Sequence, residues 1–258
     1  MATVTDSAPW VRAVRASHDR LAGIVAGLDA DGLRKQSYAK EWSIADVLSH
    51  LGSGAEIFLL SLTAGVTGAE PPTSEDFQPI WAIWNARSPE EQAAQCVVAN
   101  EALVSSVESL TEAKREAFSV VMFGAMTMDL AGFLGMRLSE HAIHTWDVAV
   151  VLDADALVAQ YAVDLMIDGL SMIIGFTGKK AAEPAVIAVS TTGPERSFTL
   201  DTGGATLSPG DPGASAGASL VLSAEALVRL VYGRLDDADE LTAAGITLPE
   251  LQAIFPGF

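Results

Sequence analysis

Apolar residues recur at helical spacing through the first half of the chain and at strand spacing through much of the second. Trp10, Val14, Leu21, Ile24, Val25 and Leu28 share one face of a helix expected over 8–28. The polar run 29–37 reads as a break. Ser43 fits an N-cap supported by Asp46 in the first turn, and Ile44, Leu48, Leu51, Ala55, Phe58 and Leu62 form the stripe of a second helix. Residues 65–79, rich in Gly, Pro and Thr, read as a loop. Ser88-Pro89 opens a third helix toward residue 110, with proline at the first helical position. A fourth helix is expected over 127–151. Four long helices joined in this way predict a bundle.

The pattern changes after Asp153, so two domains are expected, 1–152 and 153–258. Asp155 is placed to cap a fifth helix reaching residue 176. Strand-like runs follow at 185–191, 197–200 and 219–222. The Gly/Ser/Pro/Ala-rich stretch 202–217 reads as a mobile loop. Ser223 caps a short helix through residue 232, and the tail 248–258 forms another. The second half is therefore expected to be a small α+β domain.

Composition narrows the function classes. Half of the 258 residues are hydrophobic and 19% are charged, as in a folded globular chain. The net charge of −18 repels phosphate backbones and anionic membrane surfaces, so neither nucleic acid nor membrane is expected as a partner. An anionic substrate would need a local cationic centre. The single cysteine, Cys96, makes no intrachain disulfide, fits a reducing cytoplasm and reads as a buried packing residue. Met1 is followed by no apolar signal core, and the longest apolar tract, 165–176, is broken by Asp168, Gly169 and Ser171.

The chain has four histidines, His18, His50, His141 and His144. The informative run is Arg137-x2-Glu140-x3-His144-x2-Asp147 on the fourth expected helix. An i, i+4 spacing stacks Glu140 and His144 on one face, and Asp147 continues the line. Bundle cores build metal sites from such pairs on facing helices. His50 on the second helix is the candidate third ligand, with Gly54 one turn on leaving room close to the helix. Asp46 is a rival ligand, preferred as the carboxylate of the helix's first turn. His141 lies about 100° round the helix from Glu140, and His18 has no suitable neighbour. Three protein ligands leave coordination positions open, the catalytic pattern. Spacing alone also fits a hydrogen-bonded His50 and an ordinary i, i+4 contact between Glu140 and His144.

At these residues the sequence resembles a known family. Trp42-Ser43-Ile44-Ala45-Asp46-Val47-Leu48-Ser49-His50-Leu51 looks like one metal segment of the DinB-like, mycothiol-dependent maleylpyruvate isomerase family, and the Arg137…Glu140…His144…Asp147 run looks like its second. Leu230-Val231-Tyr232-Gly233-Arg234-Leu235 is similar to a segment of that family's C-terminal domain. The resemblance covers the first half well and the rest weakly. It implies an up-and-down four-helix bundle followed by a small sterol-carrier-like α+β domain, that is, an α plus α/β protein. It implies a divalent ion, zinc by preference, on His50, Glu140 and His144, with mycothiol as the thiol cofactor.

Arg234 is then expected to bind a substrate carboxylate, with Arg229 as its competitor, and Asp147 and Arg137 to orient His144 and Glu140. Trp42 either walls the pocket or staples the helix entry as a core aromatic. The implied activity is cis–trans isomerisation or thiol S-transfer on a small electrophile by a cytoplasmic monomer or homodimer. A non-catalytic binding protein and a metal-dependent hydrolase on the same bundle are the alternatives.

Overall fold

A computed structural model describes residues 6–122, 124, 126–237 and 239–257. The chain divides into two compact units, Met1–Leu157 and Val158–Phe258. The first contains α1 (Ala8–Val25), α2 (Ala30–Leu33), α3 (Ile44–Thr67), α4 (Ser74–Asn85), α5 (Pro89–Glu108), α6 (Glu112–Ala117), the hairpin strands β1 (Val120–Met122) and β2 (Met126–Met128), and α7 (Leu130–Leu152). The expected boundary after residue 152 falls at the end of α7.

The four long helices α1, α3, α5 and α7 pack on one another. Leu21, Ile44, Leu48, Leu51, Leu103, Phe133, Leu134 and Leu138 are fully buried between them. Each such side chain stabilises the fold by roughly 1.5–3 kcal/mol relative to exposure. Local chemistry fixes where α3 begins and ends. Ser43 accepts from the Asp46 amide while Asp46 accepts from the Ser43 amide at 2.9 Å, a complete capping box. Gly68, in the left-handed region at φ 71°, closes the other end. This helix is apolar and long enough to cross a membrane, but 61% of its apolar window is buried inside the protein, as for a core helix.

Several expectations need correction. The supposed loop 65–79 is instead the end of α3, a short connection and the start of α4, whose Thr73 and Asp76 form another capping box. Pro79 sits inside α4, and the helix survives because Trp84 anchors it in the core at 1% exposure. The polar break 29–37 holds the one-turn α2, capped by Asp29. The first helix stops at Val25, not 28. The fourth expected helix starts at Leu130, because residues 126–128 pair as β2 and Asp129 supplies the cap.

The second unit contains α8 (Gln160–Met166), a 3₁₀ turn (Ile167–Gly169), α9 (Leu170–Thr177), β3 (Val186–Thr192), β4 (Arg196–Asp201), β5 (Thr206–Pro209), a further 3₁₀ turn (Gly213–Ser215), β6 (Ala218–Ser223), α10 (Ala224–Val231), β7 (Leu241–Ala244) and α11 (Leu248–Ile254). Asp155 caps no helix; its amide turns back to the Asp153 side chain, and the fifth expected helix is broken into two by the 3₁₀ turn. The strands form one sheet in the order β5-β4-β3-β6-β7, with β3 and β6 parallel and the other pairs antiparallel. Ile187, Val189, Phe198, Leu200, Leu220 and Leu222 bury one face, which α10 covers, while Ser190, Ser197, Ser219 and Val221 leave the other exposed. The expected loop 202–217 contains β5, recruited by pairing with β4. Phe258, the end of the expected tail helix, lies outside the described residues.

Candidate metal centre

Two helices of the first unit supply the expected ligands. His50 projects from α3, and Glu140 and His144 from α7. The potential donor atoms of all three lie within 4.8 Å of one another. Glu140 Oε2 is 3.2 Å from His50 Nε2 and 3.8 Å from His144 Nε2. Zinc–ligand bonds of about 2.1 Å at tetrahedral angles imply ligand–ligand edges of about 3.4 Å, so these separations suit a common ion. The two imidazoles meet edge to face, with centroids 4.8 Å apart.

The surroundings prepare these groups. Asp147, with no side-chain exposure, accepts from His144 Nδ1 at 2.8 Å. That bond leaves the Nε2 lone pair directed toward Glu140, the carboxylate–histidine–metal arrangement. Burial lowers the His144 pKa against the opposing pull of Asp147, which favours the neutral imidazole a metal needs. Burial works against ionisation of Glu140, but the hydrogen bond from His50 and electrostatic attraction from the groups around it outweigh that cost and hold the carboxyl at about 2. A carboxylate and two imidazoles, of which His50 and Glu140 are partly exposed, form a donor set suited to a divalent ion.

Trp42 lines the centre. Its ring stacks on His144 at 5.8 Å and tilts against His50 at 5.1 Å. The loop before α3 holds it there, since the Trp42 carbonyl accepts from Ser37 N, Ser37 Oγ and Gln36 Nε2. Asp46, the rival ligand, is occupied in the capping box.

Arg137 departs from its expected role. Its Nη2 donates to Leu51 O at 2.9 Å and to Asn100 Oδ1 at 2.5 Å, so its hydrogen bonds go to neutral oxygens and not to Glu140. The room at Gly54 is taken by Arg137 itself, whose Nη1 would lie 3.1 Å from a Cβ placed there. Asn100 is the residue the sequence reading missed: a neutral amide on α5 carries no spacing signal.

The other histidines serve the core. His141 Nδ1 pairs with Ser17 Oγ at 2.7 Å, and His18 Nε2 lies 3.0 Å from Glu101. Cys96 is fully buried, and burial pushes its thiol up to about 12. In the second unit, Arg229 donates to Glu225 and Asp239. Arg234 follows Gly233, which adopts φ 71° where a Cβ would strike the Gly257 backbone at 2.6 Å, and its Nη1 donates to Tyr232 O.

Residues 14–149 match the family model described as the mycothiol maleylpyruvate isomerase N-terminal domain. No curated protein matches the chain. Among solved structures, a crystal structure of the mycothiol-dependent maleylpyruvate isomerase is similar with a TM-score of 0.69 and 16% identity, covering 93% of this chain and 94% of that one. A histidine-to-alanine mutant of that isomerase is similar with a TM-score of 0.68, at the same identity and coverage. The family match spans more than half of the sequence and contains all three ligand candidates, and the chain belongs to the mycothiol-dependent maleylpyruvate isomerase family.

Proposed function

We propose that this chain is a divalent-metal- and mycothiol-dependent enzyme, a cis–trans isomerase or thiol S-transferase acting on a small electrophile that carries a carboxylate. The observation that supports this most is the meeting of His50, Glu140 and His144 from two separate helices, with Asp147 behind His144. In this reading the four long helices are the DinB-like bundle, residues 1–152, and residues 153–258 form a sterol-carrier-like domain. Zinc is the preferred ion, and a cytoplasmic monomer or homodimer is the preferred state.

A bound divalent ion supplies the positive charge that keeps a coordinated thiol deprotonated at neutral pH. The protein's own groups supply the rest. Asp147 holds His144 in the tautomer that presents Nε2. Trp42 shields one side of both imidazoles from water. Arg234 is the proposed partner of the substrate carboxylate, which a protein of net charge −18 would otherwise repel. Arg229 is the competing candidate; Glu225 and Asp239 engage its guanidinium, while Arg234 Nη1 donates to Tyr232 O.

A thiol cofactor held at the centre would supply the nucleophile for reversible addition to an activated alkene, the chemistry that permits cis–trans isomerisation. A carbonyl conjugated to the alkene would take up the displaced electron pair, and protonation there would instead give the thioether product of an S-transfer.

The test is elemental analysis of the purified protein together with turnover of maleylpyruvate and a panel of small electrophiles, with and without mycothiol. About one divalent ion per chain and strictly thiol-dependent turnover are expected. A folded protein without metal affinity, or turnover that ignores the thiol, overturns the proposal.

A further inference from the structure

Arg137 is an expensive residue to place where it is. Its side chain is among the largest fully buried ones in the protein, and its Nε has no hydrogen-bond partner. A buried guanidinium whose bonds go to a backbone carbonyl and a neutral amide keeps most of its desolvation cost. Burial brings its pKa down to about 10, which still leaves it charged at neutral pH. A fold that needed only packing at this point would be served by leucine or methionine.

Its position explains the charge. Arg137 lies three residues before Glu140 on α7, and its Nη1 lies against Gly54, one turn beyond His50 on α3. The guanidinium therefore sits about one helical turn from the ligand set on both helices. Formally, Glu140 and Asp147 bring two negative charges. A dication with neutral histidines cancels them, and the centre would call for no further charge. Arg137 adds one positive charge, so the loaded centre carries an excess that one anionic ligand neutralises.

We infer that Arg137 is the residue that sets the ligand preference of this centre, a fixed buried cation that makes the metal-loaded site favour an anionic ligand such as a thiolate over a neutral one. It acts by its field and touches no reacting atom, so it is a positioning residue. Asn100 and Leu51 O aim it, and Gly54 gives it room. The inference rests on the metal-centre reading of the previous section.

A cation beside a metal site should have two opposite effects: it weakens binding of the bare dication and strengthens binding of an anion to the loaded site. The test is titration of metal-free protein with cobalt(II) or zinc(II), followed by titration of the loaded protein with thiocyanate and, as a neutral control, imidazole. In Arg137→Gln, metal should bind about tenfold more tightly, thiocyanate about tenfold more weakly, and imidazole about equally. Arg137→Lys keeps the charge and should restore thiocyanate binding to near the wild-type value.

Metal and anion affinities that fall together, or neither changing, overturn the role of Arg137. Should Arg137→Gln not fold, Arg137→Lys decides: folded and metal-binding, it must hold thiocyanate as wild type does, and loss of that binding overturns the inference. A wild-type protein that takes up no metal sinks the metal-centre reading and this role with it, whereas a metal-binding wild type with unresponsive variants sinks only the role.

Discussion

The Nδ1 of His144 donates to the buried Asp147 across 2.8 Å, which leaves the opposite nitrogen of the ring facing Glu140 in the candidate metal centre. Asp147→Asn keeps the shape of the buried side chain but removes the charge that makes the imidazole a strong donor. Metal affinity should fall by 10- to 100-fold while the fold is retained. Metal titration followed by circular dichroism and a competing chelator reads both. Unchanged affinity would show that Asp147 is only a packing residue.

His50, Glu140 and His144 occupy two helices far apart in sequence, so an ion joining them ties α3 to α7. A ligand at 100 times its dissociation constant stabilises by about 2.7 kcal/mol. Zinc should therefore raise the melting temperature of the metal-free protein by several degrees, and a chelator should reverse the rise. His50→Ala should remove most of the shift. An equal shift in wild type and His50→Ala would place the bound ion elsewhere.

What the sequence made legible follows from distance along the chain. Glu140, His144 and Asp147 share one helix face, so their grouping is a matter of helical period alone. Ser43 and Asp46 likewise announce the start of α3 within four residues. His50 could be named only as a candidate partner, from its helix face and the small Gly54 one turn on, with the family resemblance as added support, because no local rule sets how α3 packs on α7. Asn100 and the true partners of Arg137 were hidden for the same reason: they depend on how α5, α3 and α7 meet. β5 and β7 escaped notice because short edge strands are formed by the partner that pairs with them, not by their own propensity. α4 was obscured by Pro79, a residue that argues against a helix locally but is outweighed here by the burial of Trp84.

Trp84 suggests a stability test remote from the centre. Its indole lies directly over Gly52 on α3, where a Cβ would come within 2.0 Å of the ring. The ring is rigid and only 1% exposed, so it cannot step aside cheaply. Gly52→Ala should destabilise the protein by about 3 kcal/mol despite alanine's better helix propensity. Urea unfolding should show a lower midpoint with an unchanged slope. A variant as stable as wild type would mean that α4 shifts freely on α3.

Cys96 yields a prediction with a defined sign. Burial raises its thiol from the ordinary 9.0 to about 12, with Arg137 and the Asn100 side chain pulling the other way. Below pH 9 the thiol is protonated in both the folded and the unfolded chain, and its contribution to stability is fully present. Between pH 9 and about 12 the unfolded chain loses this proton while the native protein keeps it, so rising pH favours unfolding. The contribution should decline across that window with a limiting slope of roughly 1.4 kcal/mol per pH unit. Comparing the pH dependence of stability in wild type and Cys96→Ala isolates this group from lysines and tyrosines that titrate nearby. The two curves should run parallel below pH 8 and converge or cross above it, with wild type falling faster. The same burial should leave native Cys96 unreactive toward iodoacetamide at pH 8 until the protein is unfolded. Rapid labelling of the folded protein, or parallel curves across the whole range, would mean that α5 opens to solvent at this position.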